Sequence, residues 1–251
     1  MRLARNTLLA ALVLLLAACA TGSSAVHKTV SATPDKPMPR KVLLLPVEIN
    51  VHEISAGGVV EKVNAWSETA SSHANAFLRD LARGKGAFDL IGGPALEPAQ
   101  KARLDQYIAL YEVVAGSAFI AQHSPFEVWQ QRAREFDYTL GPGLGPLADA
   151  TGTDAAMVVI GSDYISSAGR RAAMVMGMIL GAVAGAVVVP QGGISFVSVG
   201  VVDLHTGDLL WFGTEQGQAT DLRNEADVRR MLEGLFRTYP GLTPAAKPAA
   251  G

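Results

Sequence analysis

Residues 194–214, ISFVSVGVVDLHTGDLLWFGT, place two apolar, β-branched runs on either side of His205-Thr206-Gly207-Asp208. Valine, isoleucine and phenylalanine favour extended backbone, and a short polar connection carrying glycine favours reversal of the chain. The pattern therefore predicts a β-hairpin of strands 194–204 and 209–214. Working back toward the N-terminus, residues 155–160 (AAMVVI) form an apolar run of strand length bounded by Gly152 and Gly161, which predicts a buried strand. Residues 42–50 (VLLLPVEIN) predict another, with an irregularity at Pro46, because proline cannot donate to a ladder. A short strand is expected at residues 88–91, ended by Gly92-Gly93-Pro94.

Between these runs the apolar period changes from two to nearly four. Val59, Val63, Trp66, Ala70, His73, Phe77 and Leu81 mark one face of a helix that stops near Gly84-Lys85-Gly86. Leu104, Tyr107, Ile108, Tyr111, Val114 and Phe119 mark a second helix, beginning at Pro98. Ser124-Pro125-Phe126-Glu127 reads as a capping box opening a third, with Phe126, Trp129 and Ala133 inward. Gly141-Pro142-Gly143-Leu144-Gly145-Pro146 is a breaker followed by a brief helical turn. The last helix has Asn224 as its cap and Val228, Met231, Leu232, Leu235 and Phe236 on one face, and Tyr239-Pro240-Gly241 stops it. The order β-α-β-α-α-β, an apolar insert, a hairpin and a final helix predicts an α/β, three-layer domain. Its mixed sheet of about five strands has helices packed on it and ends in a C-terminal β-hairpin plus helix.

The chain's single cysteine lies near its start. Arg2 and Arg5 precede an apolar run at residues 8–16, and Leu16-Ala17-Ala18-Cys19 closes it. A positive region, a short apolar region and small residues make a secretory signal, and about nine apolar residues are too few to span a bilayer. A lone cysteine cannot form an intramolecular disulfide. The segment resembles the lipobox of bacterial lipoproteins. That resemblance implies removal of a signal peptide, residues 1–18, and acylation of the Cys19 thiol and of the new amine by palmitate-type chains. Two acyl chains suffice for stable anchoring. In that family an aspartate after the cysteine retains the protein at the inner membrane, so Ala20 implies the outer membrane, with the domain facing the periplasm.

Losing Arg2 and Arg5 lowers the formal net charge from −2 to −4, which gives no electrostatic reason to expect nucleic-acid binding. A chain of 251 residues that is 49% hydrophobic can bury one substantial core. Residues 20–40, rich in Ser, Thr, Ala and Pro, are expected to form a flexible tether following the acylated Cys19. Residues 41–240 are expected to form the domain, and residues 241–251 a disordered tail.

Four pieces carry a wider resemblance: KVLLLPV at residues 41–47, FDLI at 88–91, ADATGTDAAMVVIGS at 148–162 and VVDLHTGDLLW at 201–211. In that order they look like bacterial envelope lipoproteins whose domain is similar to the curli-secretion (CsgG-type) lipoprotein and the amino-terminal domain of TolB. The resemblance implies a three-layer α/β fold and a role in assembly, export or binding, without catalytic residues or cofactors to carry over. The departures are the long helical stretch from 98 to 136 and the apolar segment from 172 to 190.

That segment, AAMVMGMILGAVAGAVVVP, is uncharged, follows Arg170-Arg171 and places Gly177, Gly181 and Gly185 on one helical face. Such a stripe lets helix backbones approach closely and is used in membrane helix association. Three readings stand at this point, the third being a mobile loop. One is a crossover helix between strands 155–160 and 194–204, apolar all round because it is buried or faces another subunit. The second is a segment that contacts or enters membrane. A single crossing would split the domain's own sheet across the bilayer, so an insertion must return to the side it left.

Catalytic and metal chemistry are weakly signalled. His27, His52, His73, His123 and His205 have no metal-ligand spacing. Gly161-Ser162-Asp163 is not a nucleophile elbow, and the glycines at 141, 143 and 145 do not match a nucleotide-binding pattern. Asp203 and Asp208 flank the hairpin turn, where aspartate favours local hydrogen bonds. Trp66, Trp129 and Trp211 fall at core positions. The expected function is a lipid-anchored, non-enzymatic outer-membrane lipoprotein that binds envelope proteins or itself. The alternatives are an oligomeric export or pore component using residues 172–190, and a hydrolase using Ser162, Asp163 or a histidine.

Overall fold

The structure is a computed structural model that describes residues 20–33, 37–86, 88–93, 97–183, 193–218 and 220–242. Within these, eight strands form one mixed sheet. The strands are β1 (Ala20–Val26), β2 (Lys41–Leu44), β3 (Glu48–Ile54), β4 (Val60–Lys62), β5 (Asp89–Gly92), β6 (Ala155–Ser166), β7 (Ile194–Asp203) and β8 (Leu209–Gln218). The helices are α1 (Lys28–Ser31), α2 (Asn64–Lys85), α3 (Pro98–His123), α4 (Glu127–Glu135), α5 (Gly145–Thr151), α6 (Ala168–Val183) and α7 (Glu225–Phe236). Across the sheet the order is β1-β8-β7-β6, then β2 and β3 along the same edge of β6, with β5 beside β2 and β4 beside β3. β2 runs parallel to β5 and β6, and β3 runs parallel to β6 but antiparallel to β4, while β7, β8 and β1 alternate in direction.

The irregularity expected at Pro46 has a defined geometry. Leu44 pairs with Met157 and Glu48 with Ile160, so one extra residue stands on the β2–β3 side, a bulge around an exposed proline. Side chains alternate faces along a strand, and one inserted residue reverses the alternation. Val42 and Leu44 before the bulge and Ile49 and Val51 after it therefore enter the same core.

Helices cover both faces. On one, α2 and α7 present Ala70, Ala74, Phe77, Leu78 and Val228, Met231, Leu232, Leu235 to the sheet, around Trp211. On the other, α3 presents Leu104, Ile108, Tyr111, Ala115 and Ala118 at spacings of four and three, and α5 adds Leu147 and Ala148. This is the predicted three-layer arrangement, with eight strands where about five were expected. The β7–β8 turn forms as read. The Asp203 carboxylate accepts from the N–H groups of His205 and Thr206, and Gly207 takes φ +80° where a Cβ would strike the Gly141 backbone.

Several expectations are corrected. Val59 does not begin a helix, because residues 60–62 pair antiparallel with β3 through a turn at Gly57-Gly58 in which Gly58 has φ +84°, and α2 starts only after Val63, its N-cap. The β-branched pair after two glycines outweighs a helical spacing that is coincidental there. No capping box forms at Ser124, where the helix begins on Phe126 without a side-chain cap and Phe126 is 68% exposed. The box lies instead at the start of α3, between Glu97 and Gln100.

The tether expected at residues 20–40 is corrected most consequentially. Ala20 to Val26 pair residue for residue with β8, from Ala20 opposite Gly217 to Val26 opposite Trp211. His27 is buried and caps α1, and Met38 joins the core. At the other terminus Leu242 packs on the core, and residues 243–251 lie outside the described residues.

Candidate functional site

Strand register brings the features singled out in the sequence to one end of the sheet. Ala20 pairs with Gly217, Gly217 with Ser195, Ser195 with Asp163, and Asp163 with Val51. The first residue of β1 thus stands level with the start of β7 and the ends of β8, β6 and β3. Cys19, which directly precedes Ala20 in the chain, lies outside the described residues. The Ser167 N–H donates to the Ile54 carbonyl and the Ser167 hydroxyl accepts from the Arg170 N–H, which fixes the start of α6 on the β3–β4 turn. Gly193, where the chain returns, lies against the Tyr164 backbone. The apolar segment leaves and re-enters at this same end.

β6 and β7 are antiparallel neighbours, so two residues would suffice to join them. The topological part of the crossover reading of residues 172–190 is therefore corrected, because a crossover helix is needed only between parallel strands. Ala172, Ala173, Val175 and Met176 are exposed, with Val175 50% and Met176 57% accessible, so this part of α6 is not buried between sheet and helix. Gly177 and Gly181 lie in the α6 backbone, but their surroundings, like Gly185 itself, lie outside the described residues. Among the described residues no helix is long and apolar enough to cross a membrane.

Beneath this end sits a buried carboxylate. Asp163, fully excluded from solvent, accepts from the Ser195 hydroxyl at 2.8 Å and from the Leu222 N–H at 2.8 Å. The Ser195 hydroxyl also points at the Thr220 carbonyl, 3.1 Å away. Asp163 thereby ties the loop after β8 to both central strands. Burial pushes its carboxyl above the ordinary range, opposed by the Leu222 and Ser195 hydrogen bonds. In the same loop, Arg223 forks onto Asp221 at 2.9 and 2.7 Å and stacks over the Trp66 ring at 4.3 Å. The hydrogen bond from Arg223 holds Asp221 below the usual carboxylate range.

The other candidates are scattered. His52 stacks on Tyr164, His123 on Phe119, and His205 is exposed 3.9 Å from Asp154. His73 is half-buried on α2, and His27 is lowered from its ordinary value by burial. Among the described residues no group of three His, Cys, Asp or Glu side chains could hold a metal ion. Asp163 and Ser195 bond to each other and to backbone rather than to a histidine. Trp211 is buried, and Trp66 and Trp129 are half-buried. A cavity of about 270 Å³ lies between α3 and α5, lined by Gln100, Arg103, Leu104, Leu144, Pro146 and Leu147. A further apolar face on α3 and α4 exposes Leu110, Val113, Ile120, Phe126 and Val128. Sequence reasoning missed β1 and the Asp163 tie, since both depend on residues far along the chain.

No family model matches the sequence, and no curated protein matches it. Two solved structures, the PelC dodecamer from Paraburkholderia phytofirmans and a single-substitution variant of it, align over 90% of this chain and 99% of theirs. Identity is 12% in both, with TM-scores of 0.38 and 0.35. A likeness this distant carries no argument about function.

Proposed function

We propose that this chain is a lipid-anchored, non-enzymatic lipoprotein of the bacterial outer membrane, with its α/β domain on the periplasmic side, binding or assembling with other envelope components. The observation that carries this reading is the sequence Leu16-Ala17-Ala18-Cys19 after a basic and then apolar leader, with no second cysteine to claim the thiol. The order of strand, turn and hairpin motifs similar to the curli-secretion and TolB-type domains supports the envelope assignment. The strand register is compatible with it, because Ala20 lies at the same end of the sheet as the apolar start of α6.

The test is a Cys19→Ala chain carrying a leader whose removal needs no lipidation, with residues 172–190 deleted. Intact mass of the parent mature protein should show acylated Cys19, and the variant should leave the outer-membrane fraction for the soluble periplasm. A parent mass without acyl chains, or a variant that stays with the outer membrane, refutes lipid anchoring.

A further inference from the structure

Using the Cys19 anchor only for orientation, we propose that the sheet end carrying α6 is a lipid-docking face, with the exposed side chains of residues 172–176 seated in the near leaflet of the bilayer. α6 carries no acidic residue, and after Arg171 no charge at all. A helix that is apolar all round is stable only when it is surrounded. The α6 side chains at 172, 173, 175 and 176 are exposed, so this domain does not surround them. A protein groove covers one stripe of a helix, whereas hydrocarbon covers its whole circumference.

Three further observations favour lipid. The described part of α6, Ala168–Val183, is about 24 Å long, shorter than a hydrocarbon core of about 30 Å, and at Gly193 the chain is back on the side it left. Those are the properties of a segment that enters one leaflet. The same end exposes Val59, Val60, Tyr164 and Ile194, so the helix rises from an apolar rim. Arg170 and Arg171 stand at its base, at the level where anionic headgroups meet the acyl chains. The acids nearby are Glu53, Glu61, Asp221 and the buried Asp163, which accepts from Ser195 and Leu222. Asp221 is taken up by Arg223, while Glu53 and Glu61 face each other across β3 and β4 beside Lys62.

The test uses the full-length acylated protein in vesicles of phosphatidylethanolamine and phosphatidylglycerol. Acylation consumes the only native thiol, so Met176→Cys gives a unique site for an environment-sensitive dye. Thr206→Cys, in the turn at the far end of β7, is the control roughly 30 Å away. Quenching by lipid-borne nitroxide should be at least about threefold stronger at 176 than at 206, and should fall to the level at 206 when Val175 is also replaced by Asp. Equal quenching at 176 and 206 overturns the proposal. So does protection at 176 that is lost on diluting the protein within the vesicles, which would mean that a second copy covers the helix. Intact mass reports acylation separately. If Cys19 is bare it would take the dye as well, so the same contrast between 176 and 206 is read on a Cys19→Ser chain with vesicles added, and it supports or overturns the docking face on the same terms.

Discussion

Asp163 offers two substitutions that separate charge from hydrogen bonding. Asp163→Ala leaves the Leu222 N–H without its acceptor and releases the Ser195 hydroxyl to the Thr220 carbonyl alone. An orphaned buried donor costs about 1–3 kcal/mol, which for a domain of this size corresponds to a fall in Tm of roughly 3–10 °C. Asp163→Asn behaves differently. Its carbonyl accepts from Leu222, its amide donates to Ser195, and Ser195 then donates to Thr220, so Leu222 and Ser195 both keep partners and no charge is buried. Asn should therefore match the wild type at acidic pH and exceed it at neutral pH. The sign follows from linkage. Burial raises the folded carboxyl above its ordinary value of 3.8, so the stability it contributes is complete below that value and is lost as pH rises through the folded pKa. Urea denaturation of the four combinations, Asp and Asn at pH 4 and pH 7.5, measures this. An Asn variant as unstable as the Ala variant, or an Asn–Asp difference that does not change with pH, refutes the reasoning.

Two further substitutions test the packing. Gly200 lies directly under the buried ring of Tyr111, whose hydroxyl is 3.1 Å from Ser198 Oγ, so Gly200→Ala pushes the ring away and should cost about 1–3 kcal/mol by urea denaturation, while Tyr111→Phe costs about 1 kcal/mol. Deleting Pro46 removes the bulge and turns Ile49 and Val51 to the opposite face, an effect of roughly 3–6 kcal/mol visible as loss of cooperative unfolding, whereas Pro46→Ala keeps the count and folds.

What could be read from the sequence divides along the range of the interactions involved. The hairpin at His205, the final helix with its Asn224 cap, and α3 were legible because each is specified by neighbours in the chain: a turn residue, a capping oxygen accepting from Ala226, or a spacing of three and four. β4 was obscured because Val59 and Val63 happen to fit a helical period, and Phe126 because an apolar residue at a helix start was assumed to face inward. The Asp163 tie had no local signal, since its partners lie at Ser195 and Leu222. A lone aspartate at the end of an apolar strand was its only trace.

β1 shows why the rest was not legible, and what its position changes. ATGSSAV has small, polar residues of weak strand propensity, and composition assigns them to a linker. They become a strand because β8 offers a complete row of backbone donors and acceptors, a property of residues 211–217 that no reading of 20–26 contains. On the proposed reading of Cys19 as an acylated anchor, a tether would let the domain rotate freely above the membrane, and the cysteine would say nothing about orientation. With Ala20 paired in the sheet, that same reading sets the lipid surface at the end where β8 and β6 finish and α6 begins. The apolar helix, unnecessary for joining β6 to β7, would then lie on the membrane side of the domain.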